Sequence, residues 1–493
     1  MVAPGKPRSS LLRMRVAATL IACAAAVSWT LMQVHESGHT LHSSSSSSSS
    51  SNSNSSNNSS SSSSKSSGSS SSLARIGWYG HDFSARPVSG LTLQEARHIC
   101  SDNSGNLVWA YGAWHLVDPD LAEMLPLRPP YTNPIDVLLL PTANILVNES
   151  SYAVGGKGYT TQVLAMVRSV KAPILTIGLG SQIRFDDVPS AASAAEEEQA
   201  QEQAGEQGED TDGTLAVQQQ EAPQGGADYS AASAVQLHPQ QVALLQRVEA
   251  MGGLIITRGK FTAAIMEANG LAPPLPLGCP SLFINHNPQL GAVLQQKWRA
   301  VLRKRDPNLR LGVTLPKVHM DRPFPSNLVR LLAERVLKVF PRSVVVLQTL
   351  GDLNLLKTMH DKHGLYLQPD RVRHYYDVEA WTAGLKACCD LVWGFRIHGT
   401  MAAIAAEVPG IVVSKDYRIK ELAEAMTLPT MDILQAKLDP DTFDLFDFLD
   451  ATDGMDGRRF DRRRREVAQV YVKEFERLHV PLHPGIAALA DSP

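Results

Sequence analysis

The sequence has few of the features that mark proteins binding nucleic acids or metal ions. Its 493 residues carry 46 lysines and arginines against 49 aspartates and glutamates, a formal net charge of -3. Because there is no basic excess to neutralise a phosphate backbone, we expect no nucleic-acid partner. Only five cysteines are present, and no Cys-x-x-Cys spacing occurs. We therefore expect no metal site, and no cofactor is indicated.

The few cysteines leave the question of disulfides open. Cys23 lies in an apolar N-terminal segment, whereas Cys100, Cys279, Cys388 and Cys389 lie in the rest of the chain. In an oxidising compartment these four could form a disulfide, but the sequence does not assign the pairs. Adjacent Cys388 and Cys389 are expected to pack as small apolar side chains before the next strand.

The N-terminal segment is typical of a membrane anchor. Residues Val16–Val34 are uncharged and mostly apolar, and a run of ~17 to 25 such residues can span a bilayer. The basic residues that precede it are Lys6, Arg8, Arg13 and Arg15. This asymmetry predicts that residues 1–15 are cytosolic and that the head of a type II protein lies in the lumen. The alternative is a signal peptide cleaved near Ala24–Ala26, which would give a secreted protein.

Two low-complexity stretches are too polar to bury a core. Residues 35–72 become almost pure serine from Ser43 to Ser72, which predicts a flexible stem. A membrane-tethered head on such a stem is the layout of a glycan-modifying enzyme of the Golgi membrane. Residues Pro189–Ala234 are rich in Gln, Glu and Gly, which predicts a disordered surface insertion. We expect its deletion to leave the fold nearly intact.

Outside these stretches, strand-like apolar runs alternate with helical periodicity. The runs are Val137–Leu140, Ile174–Ile177, Leu254–Thr257, Leu311–Leu315, Val344–Gln348, Leu391–Gly394 and Ile411–Ser414. The alternation predicts an α/β fold in which two doubly wound, Rossmann-like domains of parallel strands face a cleft, as in B-type glycosyltransferases. We assign residues 73–295 to the first domain, 296–430 to the second and 431–493 to a C-terminal helical segment.

Polar side chains recur at the ends of the predicted strands. They are Asn144, Gln182, Arg258 and Lys260 in the first domain and Thr314, Lys317, Gln348, Arg396, His398, Lys415 and Arg418 in the second. The carboxyl ends of parallel strands line the ligand crevice of such folds. One such residue alone is more often a cap or a solvated side chain, but their recurrence at the same end of the sheet predicts a binding site.

The most informative stretch runs from Asp390 to Arg418. It reads as a buried strand, a turn carrying Arg396 and His398, an Ala-rich helix and a second strand. Backbone N–H groups and the helix dipole at such a turn favour an anion, so the added guanidinium and imidazole suggest a phosphate or carboxylate ligand. The alternative is that Arg396 pairs with a nearby acid and His398 caps the helix.

This stretch resembles the C-terminal signature of the polysaccharide pyruvyl transferase family. The shared parts are an Arg-x-His triplet with Ile397 at its centre, a small-residue helix, a Val-Pro-Gly turn and Asp-x-Arg ending at Arg418. Upstream, the similarity continues through four further segments: Asp136–Asn144, Pro173–Gln182, Arg258–Ala263 and Leu277–Leu282. It covers roughly Leu73 to Pro429 without the insertion.

The resemblance implies a reaction. Members of the family transfer the enolpyruvyl group of phosphoenolpyruvate to two hydroxyls of one sugar, forming a ketal and releasing phosphate. By this resemblance, Arg396 and Arg258 hold the donor's phosphate and carboxylate, and His398 transfers a proton or stabilises the leaving phosphate. Gln182 and Asn144 complete the predicted binding set.

Arg418 is a further candidate for the binding set. We expect it mainly to brace its turn through Asp416. The predicted partners of the protein are phosphoenolpyruvate, a glycan or polysaccharide acceptor, and the membrane.

Two other functions stay open at this point. A glycosyltransferase with a nucleotide-sugar donor uses the same architecture, but no acidic residue suited to a ribose follows the last strands. A non-catalytic glycan-binding head on a stem is the other. Clustered cations such as Arg258, Arg396 and His398 argue against it, because a binder of neutral sugars has no use for them.

Overall fold

The computed structural model describes most of the chain after Ser72. The described residues are 73–81, 83, 92–129, 131, 134–142, 144–147, 157–181, 229–317, 325–414, 416–432, 438–452 and 454–492. The predicted anchor Val16–Val34 and the stem lie outside them, and both stay predictions. None of the helices in the described ranges is long and apolar enough to cross a membrane.

The first half of the described chain forms a sheet of parallel strands. Its path runs β2-β1-β3-β5-β6-β7, and β4 pairs with β5 beside that path. The strands are β1 (Ala74–Trp78), β2 (Ala122–Pro126), β3 (Val137–Pro141), β4 (Asn144–Leu146), β5 (Ile174–Ser181), β6 (Leu254–Thr257) and β7 (Leu275–Pro276). β3 and β5 are buried at every position, because helices cover both faces of a parallel sheet.

The second half forms a six-stranded sheet in the order β10-β9-β8-β11-β12-β13. The strands are β8 (Leu311–Thr314), β9 (Val344–Leu347), β10 (Val372–His374), β11 (Leu391–Gly394), β12 (Gly410–Ser414) and β13 (Thr430–Asp432). Every pairing from β9 across to β13 is parallel. The two parallel α/β sheets expected from the sequence are therefore present.

Each predicted run coincides with a strand to within one residue at either end, except for β5. β5 continues from Ile177 to Ser181, beyond the predicted end. Its pairing with β6 shifts register between Ile177 and Leu179, where Gly178 has a positive φ of 76°. Glycine adopts this conformation readily, so the strand continues through a bulge that the apolar pattern does not reveal.

Helices connect the strands in both halves. They are α1 (Leu93–Ile99), α2 (Gly105–Trp114), α3 (Lys157–Ser169), α4 (Pro239–Ala250), α5 (Lys260–Ala268), α6 (Leu290–Lys304), α7 (Ser326–Leu331), α8 (Asp352–His363), α9 (Val378–Cys388), α10 (Ile397–Ala405), α11 (Tyr417–Ala425), α12 (Leu445–Asp450), α13 (Gly457–Arg477) and α14 (Pro484–Ala490). Several begin after an aspartate whose carboxylate accepts a first-turn N–H group, as Asp377 does for α9 and Asp416 for α11. This contact satisfies backbone donors that the helix itself leaves unpaired.

The C-terminal helices pack back onto the middle of the chain. The carboxylate of Asp461 in α13 accepts the backbone N–H groups of Gly291 at 2.7 Å and Ala292 at 3.1 Å, at the start of α6. Arg464 donates to the carbonyls of Leu282 at 3.3 Å and Asn287 at 2.7 Å. The predicted domain boundary after residue 295 falls inside α6, and the domain bounds stay a prediction.

The described fold lies within one compact unit, Leu73–Tyr366 together with Arg373–Pro493. A second unit contributes one described stretch, Leu367–Val372, with a short 3-10 turn at Pro369–Arg371.

Two sequence-based expectations need correction. The predicted disordered insertion ends too late, because Tyr229–Ala234 is ordered: Tyr229 contacts Phe261 at a ring distance of 5.9 Å and Ala232 is fully buried. Small side chains in a 3-10 turn at Ser230–Ala234 resemble the low-complexity residues before them, which hid the boundary. The four cysteines among the described residues are all free thiols, so none of them forms the disulfide that the sequence allowed.

The ordered end of the insertion can be tested with two deletions. We expect removal of residues 189–234 to lower the melting temperature clearly more than removal of 189–228, because only the longer deletion removes the Tyr229 and Ala232 contacts. Differential scanning calorimetry of both variants beside the full chain measures this. Equal melting temperatures for the two variants would contradict the structural role of Tyr229–Ala234.

Candidate functional site

Arg258 is held at the carboxyl end of the first sheet, between β6 and α5. Its backbone N–H donates to the carbonyl of Leu179 at 2.8 Å, and its Nε donates to the carbonyl of Gly178 at 3.2 Å. A Cβ atom on Gly180 would lie 2.5 Å from Cδ of Arg258, so glycine is required there. Burial lowers the pKa of Arg258 to about 10, although the nearby Cys279, Glu421 and Asp416 act to raise it.

Arg396 occupies the equivalent turn of the second sheet, between β11 and α10. Its backbone N–H donates to Oγ1 of Thr314 at 3.2 Å, and its Nε donates to the carbonyl of Leu315 at 2.8 Å. Its Nη2 forms an ion pair with Asp352, a buried carboxylate at the start of α8. The alternative that Arg396 pairs with a nearby acid is therefore realised. Burial lowers the pKa of Arg396, and Asp352 opposes this effect.

Asp352 fixes the position of Arg396 through further hydrogen bonds. Its carboxylate accepts the backbone N–H groups of Gln348 at 2.8 Å and Thr349 at 3.0 Å, and the hydroxyl of Thr349 at 2.9 Å. A carboxylate with this many donors and an arginine partner can be buried without an unsatisfied charge. Because Nε and Nη2 are occupied, Nη1 is the edge of Arg396 without a protein partner among the described residues.

His398 lies in the first turn of α10 but contacts another element. Its Nε2 is 3.7 Å from Sγ of Cys279, and no side chain caps the start of the helix. The alternative of a helix-capping histidine is thus not what the structure shows. Burial, Arg258 and Arg418 together lower the pKa of His398 well below its usual value. Among these protein groups alone the imidazole is neutral near pH 7, whereas the sequence suggested a charged one beside an anion.

Arg418 makes the contact that was expected of it. Its Nη2 forms an ion pair with Asp416 at 2.6 Å. Asp416 in turn accepts the backbone N–H of Ile419 at 3.0 Å, in the first turn of α11. Arg418 is partly exposed, and the ion pair with Asp416 anchors its guanidinium.

The structure brings together some of the predicted residues and not others. Arg258, His398 and Arg418 form one electrostatic cluster with Cys279, because the charges of both arginines act on the imidazole. Arg396 lies beside this cluster, near enough for Arg418 to affect its pKa.

The remaining candidates are spread more widely. Thr314 and Gln348 are buried, whereas Lys260 and Lys317 are exposed. Asn144 begins β4, and its side chain lies outside the described part. Gln182 and Lys415 also lie outside the described residues.

The sequence did not predict a role for Glu421, which connects α11, beside the second sheet, with α5, beside the first. Its carboxylate accepts the backbone N–H of Thr262 at 2.9 Å and the Thr262 hydroxyl at 2.7 Å, in the first turn of α5. A Cβ atom on Gly259 would lie 2.8 Å from Cβ of Glu421, so α11 approaches α5 closely. Burial raises the pKa of Glu421 to about 7. An acidic residue in the middle of an amphipathic helix carries no sequence signal for such a contact.

The described residues contain no group of three or more His, Cys, Asp or Glu that could hold a metal ion. One His-Glu-x-x-His spacing, His35–His39, lies outside the described ranges.

The comparisons with known proteins agree with part of this picture. Residues 244–417 match the model of the family described as Polysaccharide pyruvyl transferase. The resemblance is thereby confirmed over the stretch that contains Arg258, Arg396 and His398, whereas Arg418 and Glu421 lie just beyond it. None of the curated proteins matches this sequence.

Several solved structures are similar to this chain at low identity. They include the UDP co-structure of S. aureus MnaA, at 11% identity and a TM-score of 0.33, covering 84% of this chain and 91% of that one. A second is the wall teichoic acid polymerase TagF, at 10% identity and a TM-score of 0.32, covering 85% of this chain and 90% of that one. A third is the N-terminal domain of Candida albicans trehalose-6-phosphate phosphatase, at 11% identity and a TM-score of 0.29, covering 85% of this chain and 94% of that one. Likenesses of this strength say nothing of this chain's substrate.

The raised pKa of Glu421 predicts a specific dependence of stability on pH. The folded protein holds this proton up to about pH 7, whereas an unfolded glutamate loses it near its ordinary pKa of 4.5. We expect the stability of the wild type relative to Glu421→Gln to be greatest below pH 4.5 and to fall as pH rises to about 7, by on the order of 3 kcal/mol. Urea unfolding of both proteins at several pH values measures it, and a constant difference would contradict it.

Proposed function

We propose that this chain, whose residues 244–417 match the model of the polysaccharide pyruvyl transferase family, transfers the enolpyruvyl group of phosphoenolpyruvate to a sugar of a glycan. The observation that carries the proposal is the convergence of Arg258, His398 and Arg418 at strand ends of the two sheets. Phosphoenolpyruvate carries a phosphate and a carboxylate close together. Arg258 and Arg396, with His398 and Arg418 close to them, supply guanidinium groups suited to that pair of anions.

The reaction requires one proton on carbon and two new carbon–oxygen bonds. The methylene carbon of the donor takes up a proton and becomes a methyl group, which leaves positive charge on the adjacent carbon. One sugar hydroxyl attacks that carbon and loses its proton. A second hydroxyl of the same sugar then replaces the phosphate, which departs with the other proton. Cationic groups around the donor help by stabilising the negative charge on the leaving phosphate.

The arginines have different freedom to bind the donor. Arg258 is fixed by the carbonyls of β5, and Arg418 by Asp416, so both are oriented before the donor arrives. In Arg396, Nε donates to the carbonyl of Leu315 and Nη2 pairs with Asp352, so among the described residues only Nη1 is left to bind the donor. We assign the carboxylate and phosphate to Arg258 and Arg396, with Arg418 at the margin. Preorganised donors of this kind lose little freedom when an oxyanion binds.

His398 is suited to deliver the proton because its pKa depends on nearby charge. Burial and the two arginines hold its pKa well below the usual value. A donor with a phosphate and a carboxylate brings negative charge to the same place, which raises the pKa of the imidazole. Donor binding therefore loads His398 with a proton that the methylene carbon can accept.

The proposal is tested by incubating the purified protein with phosphoenolpyruvate and a panel of glycosides. Release of phosphate together with a gain of mass on the sugar supports it. A parallel series supplies UDP-sugars without phosphoenolpyruvate. Sugar transfer in that series alone would favour the nucleotide-sugar alternative, and binding of glycans without any transfer would favour a non-catalytic lectin.

His398→Ala and Arg396→Lys are expected to reduce transfer in different ways. Without His398, turnover should fall by on the order of 10² to 10⁴ and one limb of the pH–rate profile should disappear. Lysine at position 396 keeps the charge but loses the planar fork, so the KM for phosphoenolpyruvate should rise by at least about tenfold, in line with ~1.5 to 3 kcal/mol for charged contacts. Steady-state kinetics from pH 5 to 9 separate the two effects.

His286→Gln is the matched control, since His286 is another histidine whose pKa burial lowers, here to about 4. It contacts His483 and not the arginine cluster. Its variant should keep the full pH–rate profile. If His398→Ala retained turnover within a few fold at every pH, proton transfer would have to be assigned to another group.

A further inference from the structure

Cys388 and Cys389 form a vicinal dithiol with their Sγ atoms 3.1 Å apart. We propose that this pair is a redox modification site that reacts with a small acidic disulfide of the glutathione type and closes into a reversible vicinal disulfide. The site lies away from the Arg258 and His398 cluster, and the proposal does not depend on the transfer reaction.

The fold holds the two thiols side by side. Cys388 is the last residue of α9, and the backbone N–H of Cys389 donates to the carbonyl of Leu385 at 2.9 Å. A Cβ atom on Gly312 of β8 would lie 3.0 Å from Sγ of Cys389, so the glycine makes room for that sulfur. Cys389 is buried, whereas Cys388 is partly exposed. Cys388 is thus the thiol that an external reagent reaches first.

A cavity of about 290 Å³ lies beside the pair: Cys389 is part of its wall, and the Sγ of Cys388 is 3.1 Å from that of Cys389 without lining the cavity itself. It is located before the amino ends of β8, β11 and β12, at the opposite end of the sheet from His398. Its size is near the lower end of small-ligand pockets, which hold ~300 to 1,000 Å³.

The cavity wall carries more cationic than anionic groups. The charged residues are Lys297, Lys304, Arg310 and Lys386 against Asp306 and Asp390. Arg310 is paired with Asp390 at 2.5 Å, and Lys386 is paired with Glu407 at 3.0 Å. Lys297 and Lys304 have no carboxylate partner within the described part of the chain. An excess of cations attracts anionic reagents, so an acidic disulfide is the expected reactant.

The environments of the two thiols assign them different roles. A hydrogen bond from Cys389, aided by Arg373 and Arg310, lowers the pKa of Cys388 to about 7. The bond to Cys388 and burial raise the pKa of Cys389. Because the thiolate is the nucleophile, Cys388 attacks and Cys389 keeps its proton until the second step. Elsewhere, burial raises the pKa of Cys100 to about 11, so that thiol is slow to react.

The chemistry proceeds in two exchange steps. The Cys388 thiolate attacks one sulfur of the external disulfide, which forms a mixed disulfide and releases one thiolate. Cys389 transfers its proton to that thiolate and attacks the Cys388 sulfur, which forms the Cys388–Cys389 bond and releases the second thiolate. The protein loses two electrons, which reduce one external disulfide to one thiol and one thiolate.

The resulting ring explains why the modification is reversible. Adjacent Cα atoms are ~3.8 Å apart, below the ~4.4 to 6.8 Å found in ordinary disulfides. The sulfur atoms must also approach each other by roughly 1 Å to reach the ~2.05 Å bond length. Strained disulfides have more oxidising potentials and are easily reduced. The pair is therefore suited to a labile modification and not to structural stabilisation.

The test uses the whole chain treated with oxidised glutathione, then alkylation, digestion and mass spectrometry. We expect the peptide with Cys388 and Cys389 to lose two hydrogens, and mild reductant to restore both thiols. Cys389→Ser should stop at the mixed disulfide on Cys388, Cys388→Ser should react slowly, and Cys100→Ser should behave as the wild type. A lasting mixed disulfide in the wild type, or equal oxidation of Cys100, would overturn the proposal.

A charge control tests the role of the cavity without altering the thiols. Lys304→Glu should slow the reaction with oxidised glutathione by on the order of tenfold and leave the reaction with cystamine, a cationic disulfide, equal or faster. Equal effects on both reagents would contradict the selection for an acidic reactant. A trivalent arsenical, which needs two adjacent thiols, should bind the unaltered protein in a one-to-one ratio. Failure to bind would show that the two sulfurs are not accessible together.

Discussion

The hydrogen bonds between Glu421 and Thr262 determine how the rest of the site is arranged. They connect the first turn of α5, which follows Arg258, with α11, whose second residue is Arg418. Because each arginine lies next to one of these helix starts, their separation depends on this contact. The Thr262 hydroxyl also accepts the backbone N–H of Ser181 at 3.2 Å, which extends the connection to the end of β5. One buried carboxylate thus positions elements from both sheets.

The cost of such a site is visible in its charges. Arg258 and Arg396 are both buried, and burial lowers the pKa of each, which means that the protein stabilises their charged forms less well than water does. Asp352 offsets this for Arg396, but burial and the charges of Arg258 and Arg418 favour the neutral form of His398. Local electrostatics that oppose stability are common where a protein binds a charged ligand, since the ligand supplies the missing opposite charge.

The sequence predicts those parts of the fold that depend on local pattern. Runs such as Leu391–Gly394 identify strands because both faces of a parallel sheet are apolar, and strand ends locate Arg258 and Arg396 because the topology sends all carboxyl ends to one edge. Contacts between distant segments have no such local signal. The partners of Arg396 and Glu421 come from other strands or helices, and the ordered Tyr229 follows a stretch of similar composition. Packing decides these contacts, and packing is a property of the folded chain.

The C-terminal segment packs against the first half of the chain, and this contact constrains the order in which parts of the protein fold during synthesis. Leu482 pairs with Val117 in an antiparallel bridge, and the backbone of Asp118 donates to the carbonyl of Pro481 at 2.9 Å. On the ribosome, the segment around Val117 emerges long before its partner exists. Its backbone groups must stay solvated or be shielded by a chaperone until translation is almost finished. The contacts of Val117 and Asp118 with the C-terminal segment therefore form late, between residues far apart in the sequence. Folding of this chain cannot proceed strictly from the amino to the carboxyl end.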